Sequence, residues 1–249
     1  MSKSVILIPS RLSATRLPGK PLLKINGVSI ISHVYKKAKE ADIGEVYVAT
    51  EDKEILDEVN LNGGKAILTS NKHKTGSDRI FECYEKLDLK NIDYIINLQG
   101  DEPSIDINDL RHLNKLIEGN KTEIGTLAAE IDDQSKVNNE NIVKVITDSK
   151  ITNENFTFAI DFKRKVNNLN CNTYHHIGVY AYKPEILKKL IKFKQTNNEI
   201  KNRLEQLRAI ENGIKINVGL AKFCPIGVDT MEDYLALKKK LEYNSWNEN

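Results

Sequence analysis

Cysteine is scarce in this 249-residue chain, and the three present, Cys83, Cys171 and Cys224, are widely separated with no CxxC pair. An odd number without paired spacing gives neither a disulfide framework nor a thiolate zinc site, and it points to a reducing compartment, the cytoplasm. Long apolar runs are absent too. Val5-Ile6-Leu7-Ile8, ended by Pro9, is far too short for a signal peptide or a membrane span. Nor does charge of one sign dominate, since 37 Lys and Arg stand against 35 Asp and Glu for a formal net charge of +2. A protein that coats nucleic acid needs concentrated basic charge, so small-molecule partners become the default, with no nucleic acid and no membrane. Neither GxxxxGK[ST] nor GxGxxG occurs, which excludes a Walker loop and a dinucleotide fingerprint. Arginine is sparse as well: only seven of the basic residues are Arg. In a background filled with Lys, each guanidinium marks a place where a planar, bidentate cation is worth asking about.

With 40% apolar residues the chain can bury one substantial core unaided. The run 4–8 reads as a strand buried on both faces, as in a parallel sheet. Apolar residues at helical spacing follow over 28–40 (Ile30, Ile31, Val34, Tyr35, Ala38), then a strand at 45–50, a helix near 52–61 and Gly63-Gly64 as a stop. A strand at 65–69, a helix near 76–87 and a strand at 94–98 continue the alternation. This predicts an α/β fold with a doubly wound, mostly parallel, Rossmann-like sheet. In such sheets ligands bind beyond the carboxyl ends of the strands, here loops 9–21, 50–52, 69–79 and 99–103. The second half changes character, with strand-like runs at 124–131, 142–147, 156–162 and 174–182, then helices near 184–193 and 199–212. It predicts a smaller mixed α+β lobe over 124–213, and a nucleotide-binding core over 1–123 and 214–249 that includes a strand at 214–221 and a terminal helix.

The loop after the first strand, Pro9-Ser-Arg-Leu-Ser-Ala-Thr-Arg-Leu-Pro-Gly-Lys-Pro21, sets Arg11, Arg16 and Lys20 beside a glycine and small hydroxyl residues such as Ser10. Three cations with nearby backbone N–H groups make a cradle for a polyanion such as a triphosphate. This segment resembles the R-x-x-S-x-R-L-P-x-K-P nucleotide loop of the sugar nucleotidyltransferases, and among them the cytidylyltransferases of eight-carbon acid sugars. The likeness runs on through His73-Lys-Thr-Gly-Ser-Asp-Arg79, Asn97-Leu-Gln-Gly-Asp-Glu-Pro103, Asn141-Ile-Val-Lys-Val145, His176-Ile-Gly-Val-Tyr-Ala-Tyr182, Leu204-Glu-Gln-Leu-Arg208 and Gly227-Val-Asp-Thr230.

The resemblance implies that CMP passes from CTP to the anomeric hydroxyl of 3-deoxy-D-manno-octulosonate (KDO), releasing pyrophosphate, for lipopolysaccharide synthesis. It implies Mg2+ as cofactor and a homodimer built through the smaller lobe. Phosphoryl transfer of this kind needs in-line positioning, cations on the leaving pyrophosphate and metal on the α-phosphate oxygen. Asp101, at the end of the 94–98 strand, is the natural first metal ligand, and the resemblance gives Asp229 as the second. Lys20, Asp101 and Asp229 are thus the expected catalytic set. Ser10, Arg11, Arg16, Lys20, Thr75 and Ser77 are expected on the nucleotide, with Arg79 and Gln99 reading the base. Asp78 fits a ligand role and a helix cap equally. Arg164, His176, Glu205 and Gln206 match family positions on the sugar, whereas Arg208 fits a helix brace.

Two departures fall on the sugar side. Asp161-Phe-Lys-Arg164 stands where the family commonly has Tyr-Phe-Ser-Arg, and His175-His176-Ile-Gly where it has Arg-His-Ile-Gly. They leave open a related acid sugar, 8-amino-KDO or one like sialic acid. A non-catalytic nucleotide-binding protein on the same fold is the other alternative.

Overall fold

The computed structural model describes residues 3–13, 16–166 and 171–247, so Ala14 and Thr15 of the first loop lie outside the described residues. Along the chain run β1 (Ser4–Ser10), β2 (Lys24–Ile25), β3 (Val28–Ser29), α1 (Ile30–Glu40), β4 (Gly44–Thr50), α2 (Lys53–Leu61), β5 (Ala66–Leu68), α3 (Gly76–Leu87) and β6 (Tyr94–Asn97). They are followed by α4 (Ile107–Asn120), β7 (Ile124–Ala129), α5 (Gln134–Asn138), β8 (Lys144–Thr147), β9 (Thr157–Lys163) and β10 (Thr173–Tyr182). The last elements are α6 (Pro184–Leu190), α7 (Asn197–Asn202), α8 (Gln206–Glu211), β11 (Ile216–Leu220) and α9 (Met231–Asn247). The chain divides into two compact units.

The first unit comprises Val5–Lys90, Asn97–Ile107 and Pro225–Asn249. Its strands lie in the order β5-β4-β1, with β4 and β5 parallel. Val5, Ile6, Leu7 and Ile8 of β1 are fully excluded from water, as a strand covered on both faces requires. Ser29 caps α1 by accepting from the Ser32 N–H, and the helix buries Ile30, Ile31, Val34 and Ala38. Leu17, Ile25, Ile30, Val228, Tyr234 and Leu237 form one apolar cluster, which ties the first loop and α9 to this core.

The second unit comprises Met1–Ser4, Asn91–Ile96 and Asn108–Cys224. Its order is β6-β10-β7-β11-β9-β8. β7 and β11 run parallel, while β10–β7, β11–β9, β10–β8 and β8–β9 are antiparallel. This mixed pairing is the kind expected for the mixed α+β lobe. The division differs from the expected one, because 91–96, 108–123 and 214–224 join the 124–213 lobe. The physical cause is the β7–β11 ladder and the seating of α4 on it. A Cβ at Gly125 would lie 2.7 Å from Ile117, and one at Gly219 would lie 2.5 Å from Leu116, so these glycines admit the helix. The helix expected over 199–212 is two: Arg203, at φ 53, ends α7, and α8 starts afresh at Gln206. Between them Arg208 and Glu199 form a buried ion pair, with Nε donating to Oε2 at 2.8 Å. Arg208 is thus a brace.

Candidate active site

One cavity of about 310 Å³ in the first unit gathers most of the expected nucleotide residues: Ser10, Arg11, Arg16, Lys20, Thr75, Arg79, Gln99, Asp101 and Asp229 all line it. The loop after β1 is shaped for this. Leu17 plugs into the apolar cluster, the Leu12 N–H donates to Asp52 Oδ2 at 2.7 Å, and the Gly19 N–H closes onto the Leu12 carbonyl at 3.1 Å. Gly19 takes φ 71, a conformation cheap for glycine, and a 3-10 turn over Lys20–Leu22 follows.

These constraints bring Lys20 inward. Its side chain is only 10% exposed, and Nζ donates to Asp101 Oδ2 at 2.6 Å while reaching Asp229 Oδ1 at 3.4 Å. Arg16 Nη2 lies 3.0 Å from the same Asp229 oxygen, with half its side chain in solvent. Two carboxylates distant in sequence thus converge on one ammonium, with the Arg16 guanidinium on one of them and Arg11 elsewhere in the cavity lining.

Asp101 and Asp229 are held by their backbones. The Val228 N–H donates to the Asp101 carbonyl at 2.9 Å, which joins the two segments directly. Immediately after Asp229, Thr230 Oγ1 accepts from the Asp233 N–H at 3.2 Å, while Asp233 Oδ2 accepts from the Thr230 N–H at 2.8 Å and the Asp229 N–H at 3.1 Å. This reciprocal cap fixes Asp229 at the entrance of α9. Gly100, beside Asp101, leaves no room for a side chain, since a Cβ there would lie 2.9 Å from the Pro9 carbonyl oxygen. Gly100→Ala is expected to destabilise the fold by about 1–3 kcal/mol through this overpacking, read as a lowered midpoint in urea unfolding.

At the opposite wall Thr75 caps α3 and Asp78 completes a capping box, so Asp78 is a cap. Ser77 is buried and does not line the cavity, contrary to its expected place on the nucleotide. Arg79 lines the wall but is almost wholly buried, with Nη1 donating to Thr69 Oγ1 at 2.8 Å and Nη2 to Glu51 Oε2 at 2.5 Å. Glu51 balances its charge, so Arg79 ties the segments after β4 and β5 together as well as facing the cavity. Ser10 Oγ is buried at the wall with no hydrogen-bond partner among the described residues, a polar atom that a bound ligand would satisfy.

Sequence reasoning did not single out His73, Lys74 or Glu82. The first two line the cavity, and Glu82 holds His73 through Nε2 while accepting from the Ser70 N–H at 2.9 Å and from Lys86 Nζ at 2.7 Å. Burial alone would raise the Glu82 pKa, but the hydrogen bonds from Lys86, Ser70 and His73 outweigh it and hold the carboxyl down at about 2. A carboxyl lowered on folding adds stability above its unfolded pKa, and that stability fades as pH falls from about 4.5 toward 2. Glu82→Gln should therefore narrow its stability deficit against the parent chain across this window, measured by urea unfolding at stepped pH; a constant deficit would contradict the assignment.

The expected sugar residues, Arg164, His176, Glu205 and Gln206, lie in the second unit and do not line this cavity. Arg164 donates to the backbone carbonyls of Asn202 at 2.9 Å, Glu140 at 3.1 Å and Arg203 at 3.3 Å. His176 is buried against Phe162 and Tyr180, with Nε2 3.1 Å from Thr126 Oγ1. Burial, then the neighbouring His175, push its pKa down to about 3, so the ring is neutral at pH 7 and brings no charge to an anion. Glu205 opens α8, 3.9 Å from Arg208 Nη2, and Gln206 is half-buried beside it. The Tyr180 hydroxyl is buried with no hydrogen-bond partner among the described residues.

Comparison with known proteins bears on this arrangement. The sequence profile described as cytidylyltransferase matches residues 5–216. The chain is 41% identical over 233 residues to the 3-deoxy-manno-octulosonate cytidylyltransferase of Nitrobacter winogradskyi, covering 93% of this chain and 91% of that protein. It is 41% identical over 249 residues to the enzyme of the same name from Thermodesulfovibrio yellowstonii, covering 96% and 98%. A solved structure of CMP:2-keto-3-deoxy-manno-octonic acid synthetase complexed with CTP superimposes with a TM-score of 0.87 at 34% identity, over 98% of this chain and all of that one. UDP-glucose pyrophosphorylase, at 18% identity and a TM-score of 0.73, shares the fold.

Proposed function

Because the chain belongs to the cytidylyltransferase family, among the 3-deoxy-manno-octulosonate cytidylyltransferases, we propose that it transfers CMP from CTP to the anomeric hydroxyl of KDO and releases pyrophosphate. The observation that carries this reading is the meeting of Lys20 with Asp101 and Asp229 in the cavity that Arg11 and Arg16 also line.

The roles follow from charge. Arg11, Arg16 and Lys20 neutralise the triphosphate and favour departure of pyrophosphate, whose charge grows as the bond to the α-phosphorus breaks. Ser10 and Thr75 supply hydroxyls near the phosphates or ribose, and Arg79 and Gln99 face the base. On the sugar side, His176 in its neutral form orients hydroxyl groups, alongside Arg164, Glu205 and Gln206.

The donor set also suits a divalent ion. Two carboxylates that already share one cation match the preference of Mg2+ for a few carboxylates completed by water and phosphate oxygens. Asp101 and Asp229 would hold it, and when bound it would supply charge neutralisation at the α-phosphate. The same reading includes a homodimer, cytoplasmic location and consumption of the product in lipopolysaccharide synthesis. No helix among the described residues is long and apolar enough to cross a membrane.

Pyrophosphate release with CTP, Mg2+ and each acid sugar in turn tests the proposal. Release with KDO is expected. Release only with 8-amino-KDO or a sialic acid would move the substrate assignment, and nucleotide binding without release would make the protein non-catalytic. Asp161, in one of the two sugar-side departures, is 3.0 Å from Lys163 Nζ and so already faces an ammonium.

A further inference from the structure

We propose that Asp52 is a positioning residue for the cation loop: from outside the cavity it holds the Leu12 N–H, the pivot on which Arg11, Arg16 and Lys20 are presented to a triphosphate. The proposal rests on the nucleotide reading of this cavity and adds a residue that acts on the substrate only through the loop. The strand pattern marks 50–52 as a ligand loop, yet neither Glu51 nor Asp52 lines the cavity. Their carboxylates reach sideways instead. Glu51 takes Arg79, and Asp52 Oδ2 accepts from the Leu12 N–H at 2.7 Å.

Asp52 occupies the N-cap position of α2 with the extended backbone of a cap, and an Asp there ordinarily accepts from the N–H groups of its own first turn. Here the side chain makes no such bond. The carboxylate goes to a residue 40 positions earlier, which leaves the helix without the side-chain cap its sequence offers. The backbone beneath it is pinned. The Asp52 N–H donates to Thr50 Oγ1 at 3.1 Å, and Thr50 is fully buried at the end of β4.

Leu12 is a point from which the whole loop is controlled. Its N–H goes to Asp52 and its carbonyl accepts from the Gly19 N–H at 3.1 Å, so the loop closes on itself at this residue. Arg11 directly precedes the closure, Arg16 lies within it and Lys20 directly follows it. A loop that carries three cations grips a polyanion best when its backbone is ordered beforehand, because the ordering cost is then absent from binding. A hydrogen bond to an ionised acceptor is strong enough to hold such a pivot, and its loss is expected to cost about tenfold in affinity. That cost falls equally on bound CTP and on the transition state, so it raises the Michaelis constant and spares kcat.

Asp52→Ser and Asp52→Asn separate the tether from the cap. Serine caps a helix well, but its hydroxyl is one bond shorter than a carboxylate oxygen and falls short of Leu12, whereas asparagine keeps an acceptor oxygen at the same reach. In pyrophosphate release with KDO, Asp52→Ser is expected to raise the CTP Michaelis constant about tenfold with kcat within about twofold of the parent, and Asp52→Asn to stay within about threefold in both. CTP affinity by titration calorimetry should follow the same order. The Leu12 amide of Asp52→Ser should exchange with deuterium about tenfold faster than in the parent. A parent-like Michaelis constant in Asp52→Ser overturns the proposal, as do equal losses in the two variants, which would assign the effect to charge, and a loss confined to kcat. A parent chain that releases no pyrophosphate sinks the assigned reaction instead. Calorimetry with CTP then still decides the tether, and unchanged Leu12 exchange in Asp52→Ser overturns it with no ligand present.

Discussion

Asp101→Asn is expected to lower turnover by about a thousandfold while changing the CTP Michaelis constant by less than about threefold, a loss of about 4 kcal/mol confined to the transition state. The replacement keeps the shape of the side chain and removes its charge. Under the proposed function the triphosphate still meets Arg11, Arg16 and Lys20, which line the cavity, so binding is expected to persist. Charge on the transferring phosphoryl group and the departing pyrophosphate develops later, and under the proposed function Asp101 would position the cations that answer it: Lys20, whose Nζ it holds at 2.6 Å, and a divalent ion. Steady-state kinetics at saturating Mg2+ check this. Near-normal turnover would remove Asp101 from the chemistry, and an equal loss in binding and turnover would make it a general scaffold for the triphosphate.

Lys20→Ala should damage both parameters, raising the CTP Michaelis constant about tenfold and lowering kcat about a hundredfold. The ammonium serves bound triphosphate and transition state alike, so part of its contribution is uniform binding. Its removal also takes away the cation shared by Asp101 and Asp229, which then face the incoming triphosphate with less compensation. Arg16 still neutralises one oxygen of Asp229 at 3.0 Å, which keeps the loss finite. An unchanged Michaelis constant and rate would place Lys20 outside the site.

The contrast between these variants reflects what the sequence could and could not reveal. The first half was legible because its strands and helices repeat in regular apolar patterns, and the cation loop was legible because Arg11, Arg16 and Lys20 lie within one short segment. The arrival of Asp229 beside Lys20, 209 residues away, has no local signature and came through the family resemblance. The same blindness hid Glu51, whose pairing with Arg79 spans 28 residues and occupies part of the guanidinium expected to read the base. Glu82 was invisible for a similar reason, because its role rests on Ser70 and His73 folding back over α3.

Helix boundaries failed where periodicity ran across a break. Leu204, Leu207 and Ile210 keep helical spacing, yet Arg203 in the left-handed region separates α7 from α8. α4, whose buried stripe is Leu110, Leu113 and Ile117, has no counterpart among the expected elements. Its absence from the sequence reading then misplaced the unit boundary, since this helix and β11 are what attach 108–123 and 214–224 to the second unit.

Crystals grown with CTP, Mg2+ and a non-reacting KDO analogue provide the most direct measurement. The triphosphate is expected against Arg11, Arg16 and Lys20, with Asp101 and Asp229 meeting a divalent ion at the α-phosphate. A triphosphate bound elsewhere in the fold, or bound in this cavity with both aspartates turned away from it, would contradict the proposed function.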